Sequence, residues 1–335
     1  MPSTSIPSEL LDAVFAEPES DAPRGVVADW LLARKDPLGE LIQLQLARAA
    51  GKKGTLAKEK RLHNPLAFPF HPVQAIVGAV AFECLERGFP AVLRPPLPVD
   101  DGELKKELAR WRPHFDAPGW TTVRRLSLGA TDSPIIAELL SAARMPLLEA
   151  LEGVGPRVLT ALGDAERPLR ELVVYGAVPE DLPRLRCPNL SSLTWFADRR
   201  AARRMRLETV GASLPTRLGV AESLRSLILG GFSYEGHAAA SLRLFEVLSQ
   251  SLERLEVLGD DVTRVIVERP RRLTWVLNAW SIDAAETELA TLPTNLELSI
   301  EFHPRGYFTK RTRPLFAERI RRAAQRFEKV AFAVD

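Results

Sequence analysis

Apolar side chains recur at helical spacing in three short runs within the first fifty residues of the chain. This spacing, interrupted by proline and acidic turn residues, predicts helices at 7–16, 23–34 and 38–50. The pair Asp36-Pro37 separates the second helix from the third. Because each helix has one apolar face, we expect the three to pack together as a small helical domain.

Residues 20–47 read SDAPRGVVADWLLARKDPLGELIQLQLA. This stretch resembles the bacterial repeat-companion domain, whose pattern is roughly D-x-P-R-x-x-x-A-D-W-L followed by D-P-x-G-E-x-I-x-L-Q. Two positions depart from the pattern, with Val27 in place of Tyr and Lys35 in place of Gly. The resemblance implies a small domain found beside repeat arrays in bacterial proteins, and so an architecture rather than an activity. The matching residues are Asp21, Pro23, Arg24, Ala28, Asp29, Trp30, Leu31, Asp36, Pro37, Gly39, Glu40, Ile42, Leu44 and Gln45.

Several polar residues of this motif are candidates for a binding site. Carboxylates near an aromatic ring, as at Asp29-Trp30 and in the loop from Asp36 to Glu40, can serve binding. The same carboxylates can instead cap helices or pair with Arg24, while Trp30 lies on an apolar helix face. We expect this structural role for them.

The segment after the helical domain has a mixed character. Lys52 to Arg61 is a basic stretch that we expect to be solvated, and a proline-rich loop then leads to a predicted helix at 73–87. Residues 82–93, FECLERGFPAVL, resemble the RGF-containing connector that joins the companion domain to its repeats. An extended run is expected from Gly88 onward.

From residue 123 the pattern changes to a recurring L-x-x-L-x-L unit, which places apolar side chains on one face of a short strand. Several of these units start 21 residues apart, as at 148, 169 and 190. Leucine-rich repeats have periods of roughly 20–29 residues. The clear copies are VRRLSL at 123, LRELVV at 169, LSSLTW at 190, LRSLIL at 224 and LERLEV at 252, and looser copies start at 148, 207, 273, 296 and 327.

These patterns predict an α/β fold: an irregular leucine-rich-repeat solenoid, a parallel sheet with outer helices and loops, preceded by a small helical domain. The repeats are irregular because the ladder Asn or Cys after each strand is mostly missing. Helices are expected between strands at 132–143, with Ser133 as cap and Pro134 in the first turn, at 237–249 and at 281–289. The predicted domains are 1–50, a helical repeat-companion domain; 51–120, a connector and N-terminal cap; and 121–335, the repeat array with a basic C-terminal cap.

Composition narrows the class of protein. A chain of 335 residues with 46% hydrophobic and 26% charged residues can bury a large core, which argues against disorder. No run approaches the roughly 20 apolar residues of a membrane helix, and the start lacks the pattern of a signal peptide, so we expect a cytoplasmic protein with no membrane partner. Cys84 and Cys187 are too far apart to form a zinc pair, and His63 and His71 lack acidic or Cys companions, so no metal or other cofactor is expected.

Motifs of catalysis do not occur in the sequence. It contains no phosphate loop, no Rossmann glycine fingerprint, no H-E-x-x-H and no G-x-S-x-G. Cys187 is a candidate nucleophile for a hydrolase or ligase, but no His lies near it in the sequence. We predict a non-enzymatic protein without catalytic residues.

Strand positions that point away from the core form the predicted binding surface, because repeat proteins bind partners along their concave face. Val173, Ile228 and Trp275, with Leu277, are apolar where polar residues would suffice, which is typical of a binding stripe. β-Strand propensity alone would also favour these residues. The predicted partner is an unidentified protein, and the predicted contacts are Arg125, Glu171, Val173, Ile228, Arg254, Glu256, Trp275 and Leu277.

Charge is distributed unevenly although the net charge is only +2. The first fifty residues are acidic, and the segment from His303 to Lys329 is basic. The most concentrated positive run is RRAARRMR at 199–206, and the alternative function is phosphate or nucleic-acid binding through Arg199, Arg200, Arg203 and Arg204. A solvated helix face, or contacts with the acidic N-terminal domain, would explain the same run.

Overall fold

A computed structural model describes most of the chain and divides it into two compact units. One unit comprises Met1–Leu162 with Arg167–Leu169, and the other comprises Gly163–Glu166 with Arg170–Asp335. This division falls within the segment assigned to the repeats. The residues described are 6–63, 76, 81–95, 101–162, 168–177, 187–197, 223–232, 237–248, 250–259, 264–277, 282–302 and 313–334.

The first unit begins with a helical bundle, as the apolar spacing predicts. Its core contains Val14, Leu31 and Ile42, together with Leu85 and Phe89 from the connector. Asp36 caps the third helix, with its Oδ1 accepting from the Leu38 N–H at 2.9 Å. The helices of the bundle are α1 (Ser8–Ala16), α2 (Asp21–Leu32), α3 (Pro37–Ala49) and α4 (Leu56–Leu62).

Two short segments of this bundle bear on the sequence-based predictions: the end of α2 at Lys35, and the basic stretch after α3. Lys35, where the companion-domain pattern has Gly, adopts a left-handed backbone with φ of 59° as α2 ends. Its N–H donates to the Leu32 carbonyl oxygen at 2.9 Å, a bond typical of a helix C-terminus. The basic stretch is largely exposed, as expected, and its second half forms part of α4. Within α4, Glu59 is fully buried and pairs with Arg48 at 3.1 Å.

Of the predicted helix at 73–87, residue 76 is helical, and residues 73–75 and 77–80 lie outside the described residues. From residue 82 onward the connector differs from the prediction. Phe82–Cys84 form a 3₁₀ turn, and β1 (Leu85–Glu86) pairs antiparallel with β2 (Phe89–Pro90). Arg87 and Gly88 form the tight turn between them, with φ of 50° and 83°. Helical spacing of apolar residues could not reveal this turn, which requires two positive φ values in succession.

The remainder of the first unit is a three-stranded parallel sheet with flanking helices. β3 pairs with β4, and β4 pairs with β5, both in parallel. Ser133 caps the helix after β4 through its Oγ, which accepts from the Ile135 N–H at 3.2 Å, and Pro134 follows it, as the sequence predicts. The elements are β3 (Val92–Leu93), α5 (Asp101–Trp111), β4 (Arg125–Thr131), α6 (Pro134–Ala142), β5 (Ala150–Val154) and α7 (Pro156–Leu162).

The second unit contains a larger, parallel-rich sheet with helices. Strands β6 to β9 are parallel, β10 is antiparallel to both of its neighbours, and β11 to β13 are parallel again. The elements are β6 (Glu171–Ala177), β7 (Ser192–Ala197), β8 (Ser226–Phe232), α8 (His237–Val247), β9 (Arg254–Gly259), β10 (Arg264–Glu268), β11 (Arg272–Leu277), α9 (Ile282–Leu289), β12 (Glu297–Phe302), α10 (Arg313–Ala323) and β13 (Lys329–Val334).

Register aligns the repeated leucines across this sheet. Leu172, Leu193, Leu227 and Leu255 lie side by side on four parallel strands and are at most 1% exposed. Helix α8 contacts β9 and β10, and its Leu242 and Phe245 line one cleft with Val267. Since Val267 is in register with Leu255, the helix covers the leucine face, which we call the core face.

In the described part of the basic C-terminal segment, arginine side chains bind other residues of the fold. Arg319 of α10 bonds to Asp283 at 2.7 Å and to Glu286 at 2.6 Å, both on α9. Arg326 donates to the carbonyl oxygens of Ala290 and Leu292 near the end of α9. Among the described helices, none combines the length and apolar character needed to cross a membrane.

Candidate functional site

The sheet of the second unit has a second face, opposite the core face. Because side chains alternate along a strand, every other residue points to this second face. Side chains on this face are partly exposed along β6, β7 and β8, in contrast to the buried leucines. Register places them in rows across neighbouring strands. One row consists of Val173, Thr194, Ile228 and Glu256, and the next consists of Tyr175, Phe196, Gly230 and Leu258.

Tyr175 and Phe196 form a stacked aromatic pair on the second face. Their ring centroids are 4.8 Å apart and the ring planes differ by only 11°. Both side chains are half-buried. Rings in this arrangement offer a rigid apolar surface, because each side chain has only two rotatable bonds to immobilise on binding.

Gly230 provides the space in which the Phe196 ring lies. It is the register partner of Phe196 on β8. A Cβ atom at Gly230 would lie 2.3 Å from Phe196 Cδ1 and 2.7 Å from Cε1, so any side chain would displace the ring. The glycine therefore positions the aromatic pair on the sheet.

Aliphatic residues extend the aromatic pair into a larger surface. Ile228 and Leu258 are half-buried, as is Val173 beside Tyr175. Because neighbouring strands are about 4.8 Å apart, four strands carry this surface over roughly 15 Å. We call Val173, Tyr175, Phe196, Ile228 and Leu258 the aromatic patch.

Charged residues lie beside the aromatic patch on β9 and β10. The Glu256 carboxylate, 7% exposed, pairs with Arg254 at 2.9 Å and with Arg264 at 3.5 Å. Arg254 also pairs with Glu268 at 2.7 Å. The hydrogen bond to Glu256 raises the pKa of Arg254 above its ordinary value. An apolar centre with charged residues at its margin is the arrangement found in protein interfaces.

The structure brings together five of the eight predicted contact residues. Glu171, Val173, Ile228 and Arg254 lie half-buried on the second face of the second unit. Glu256 lies on the same face but is buried beneath the two arginines, so its carboxylate supports them instead of facing solvent. Arg125 lies on β4 of the first unit, where it pairs with Glu152.

Trp275 and Leu277 were predicted to point away from the core, and this orientation is wrong. They are 4% and 0% exposed and are in register with Ile300 and Phe302 of β12. Alternation from the buried Leu273 places both on the core face, because side chains two residues apart share a face. The error comes from taking the phase of this strand from Val276, which is on the other face and is itself buried.

The basic run proposed for phosphate binding lies outside the described residues. Arg199, Arg200, Arg203 and Arg204 all belong to it. The alternative function therefore rests on the sequence pattern.

Sequence reasoning missed Tyr175, Phe196 and Leu258. The L-x-x-L-x-L unit has six positions, and each of these residues lies just after it. The alternation of inward and outward side chains, continued one residue beyond the unit, would have placed them on the second face. The strands do extend that far, to Ala177, Ala197 and Gly259. Gly230 also gave a signal, because a glycine inside a strand often marks a close approach of another group.

The polar residues of the companion-domain motif bind the connector instead of forming an open site. Arg24 donates to the carbonyl oxygen of Pro18 at 2.5 Å and to those of Glu86 and Arg87 at 3.4 Å, and it lies over the Phe89 ring. Burial lowers the pKa of Arg24 to about 10. Gln45 accepts from the Gly88 N–H at 2.6 Å.

The carboxylates of the motif have partners other than Arg24. Asp36 caps α3, Asp29 accepts from Gln43 at 2.9 Å, and Glu40 pairs with Lys58. These contacts give Asp29, Asp36 and Glu40 a structural role, and of the two alternatives Asp36 takes the helix cap. Trp30 is partly buried against the core, with the Arg34 guanidinium 3.7 Å from its ring centroid.

The two thiols are poorly placed for nucleophilic chemistry. Cys187 is 2% exposed, in the turn before β7. Cys84 is half-buried, and burial raises the pKa of its thiol, which disfavours the reactive thiolate. Among the residues that the structure describes, no group of three or more His, Cys, Asp or Glu side chains is arranged to hold a metal ion.

Comparison of the chain with known protein families, with curated proteins and with solved structures finds no match. The resemblance to the repeat-companion domain therefore depends on the motif residues themselves.

Proposed function

We propose that this chain is a non-catalytic protein–protein interaction module that binds a partner on the second face of its larger sheet. The observation that carries the proposal is the half-buried, stacked aromatic pair of Tyr175 and Phe196, in which the Phe196 ring lies against Gly230. Strand propensity could favour an aromatic residue at one such position. Strand propensity does not explain why the residue opposite the Phe196 ring is a glycine, which leaves space for the ring.

We further propose that the strands belong to an irregular leucine-rich-repeat array, whose concave face is this second face. The in-register leucines on β6 to β9 and the 21-residue spacing of several repeat units support this. The uneven chain lengths between strands and the antiparallel β10 account for the irregularity.

The chemistry of the aromatic patch favours an apolar segment of a partner protein. Aromatic and aliphatic side chains at the centre of an interface supply most of its binding free energy once water is excluded. Arg264, 41% exposed and held by the buried Glu256, can add a charged contact at the margin. We expect partner segments that combine an aromatic or aliphatic residue with a nearby carboxylate.

Selection of peptides from a random display library against the intact chain tests this proposal. The dissociation constants of selected peptides would be measured by fluorescence anisotropy for the original chain and two variants. We expect Phe196→Ala to weaken binding by about 10- to 30-fold, as for a central aromatic contact. Gly230→Ala should weaken binding similarly, because it displaces the ring without removing it.

Val247→Ala is the matched control, since Val247 is an apolar side chain 67% exposed at the end of α8. It should leave the affinity unchanged. Peptides that bind the Phe196 and Gly230 variants as tightly as the original chain would contradict the proposal.

A further inference from the structure

Strand β13 forms the last strand of the larger sheet. It pairs with β12 in parallel along its whole length, and no described strand lies beyond it. Among the described residues, the N–H and C=O groups of β13 that alternate toward the outer edge therefore have no neighbouring strand to pair with, and such groups can pair with a strand of another chain.

This edge lacks the usual features that prevent pairing with another chain. Natural edge strands carry prolines, bulges or inward-pointing charges that discourage association. β13 has none of these between Val330 and Val334, and its register with β12 is continuous. Val330 and Phe332 are half-buried, whereas Leu298 and Ile300, their neighbours on β12, are fully buried. The Arg321 guanidinium lies 5.4 Å from the Phe332 ring centroid, so the apolar core face is covered only in part at its last strand.

The sequence of the edge is self-complementary. Residues 329–335 read KVAFAVD, a palindrome in its five central residues with opposite charges at its two ends. In an antiparallel pair centred on Phe332, Phe332 meets its own copy, Val330 meets Val334, and Ala331 meets Ala333. All of these pairs are apolar, so no like charges lie opposite one another.

We propose that β13 pairs with β13 of a second copy of this chain, antiparallel and centred on Phe332. A two-fold axis perpendicular to the sheet, midway between the two Phe332 residues, keeps the core faces of both copies on the same side, so the half-buried Val330 and Phe332 meet apolar side chains of the partner copy. Aromatic and β-branched cross-strand pairs of this kind stabilise antiparallel sheets. The interface is separate from the aromatic patch and does not depend on the function proposed above.

Sedimentation velocity over a concentration series into the high micromolar range tests the self-association. The original chain should shift toward twice the mass of a single chain as concentration rises. The double variant Ala331→Lys, Ala333→Lys should remain a single chain, because each new ammonium group would face another across the interface. Ala331 and Ala333 are both exposed, so the lysines should not disturb the fold.

The matched control is the double variant Ala331→Ser, Ala333→Ser, which changes polarity at the same positions without adding charge and should still dimerise. A single-chain mass for the original protein at every concentration would overturn the proposal. Dimerisation of the lysine variant equal to that of the original chain would overturn it as well.

Cysteine cross-linking tests the register itself. In a Cys84→Ser background, chains carrying Ala331→Cys are mixed with chains carrying Ala333→Cys under mild oxidation. The proposed register places residue 331 directly opposite residue 333 of the other copy, within the Cα separation that a disulfide spans. The mixture should form disulfide-linked dimers, whereas each variant alone should form few, because identical positions lie diagonally about 7–8 Å apart. Equal cross-linking in either single-variant sample would contradict this register.

Discussion

At the scale of single residues, Gly39 shows why a motif position needs a particular amino acid. It lies where α3 packs against α2. A Cβ atom there would be 2.7 Å from the Ala28 carbonyl oxygen and 2.8 Å from the Leu32 amide nitrogen. Both are backbone atoms of α2, so neither can rotate away. The glycine of the D-P-x-G-E pattern is therefore a requirement of close helix packing.

Gly39→Ala should lower the free energy of unfolding by about 1–3 kcal/mol, the usual cost of overpacking. Urea denaturation followed by far-ultraviolet circular dichroism measures the change. Gly25→Ala is the matched control, since Gly25 lies within α2 and a Cβ atom added there would have no neighbour within 4 Å. It should raise the free energy of unfolding by about 0.5–1 kcal/mol, because alanine favours a helix more than glycine does. Equal effects of the two substitutions would show that the space around Gly39 is not limiting.

Residue roles that depend on local chain geometry could be predicted from the sequence, and roles that depend on distant partners could not. Ser133 caps its helix as expected, because a cap bonds to an amide only two residues away. The sequence offered nearby carboxylates as possible partners of Arg24, yet its partners include carbonyl oxygens of Glu86 and Arg87, 62 and 63 residues along the chain. No local pattern specifies such a partner.

At the scale of elements, leucine spacing predicted most of the core face but not every strand. The repeat unit placed the buried leucines of β6 to β9 correctly, because alternation on a half-buried strand is strict. β10 was missed, although R-V-I-V-E places three consecutive β-branched residues before a proline-containing turn, a recognisable strand signal. The pattern sought was a parallel repeat, and β10 is the antiparallel strand between two parallel ones.

The charged row on the second face leads to a prediction at this scale. Arg254, Glu268, Arg272 and Glu297 are register partners on four successive strands, and the charges alternate in sign. Glu256 in the neighbouring row differs from these residues in being buried. A buried carboxylate with two guanidinium partners contributes more than an exposed pair, since removing it leaves the arginines without their common partner.

Glu256→Gln should lower the free energy of unfolding by about 1–2 kcal/mol, a value reduced from that of a fully buried pair because both arginines are partly exposed. Glu297→Gln provides the comparison, as its exposed carboxylate pairs with Arg272 at 3.3 Å. That substitution should change the free energy by less than about 0.5 kcal/mol. Both values come from urea denaturation, and a larger effect at Glu297 would refute the assigned role of Glu256.

At the scale of the whole molecule, charge is nearly balanced, with 45 Lys and Arg against 43 Asp and Glu. The C-terminal arginines illustrate how much of the basic charge is already paired. Arg319 lies between two carboxylates of α9, and Arg321 and Arg322 lie near Glu318. A guanidinium group with such partners must lose them before it can bind a phosphate.

The intact chain should therefore bind duplex DNA only weakly, with a dissociation constant no tighter than about 10⁻⁴ M at physiological salt, the weak end of non-specific binding. Fluorescence anisotropy with a labelled duplex across a range of salt concentrations measures both affinity and its salt dependence. Four phosphate contacts through Arg199, Arg200, Arg203 and Arg204 would instead give a slope of about −3.6 in log affinity against log salt. If that slope appeared, and if it vanished when the four arginines were replaced by Ala, the result would favour phosphate binding over protein binding on the sheet as the function of this chain.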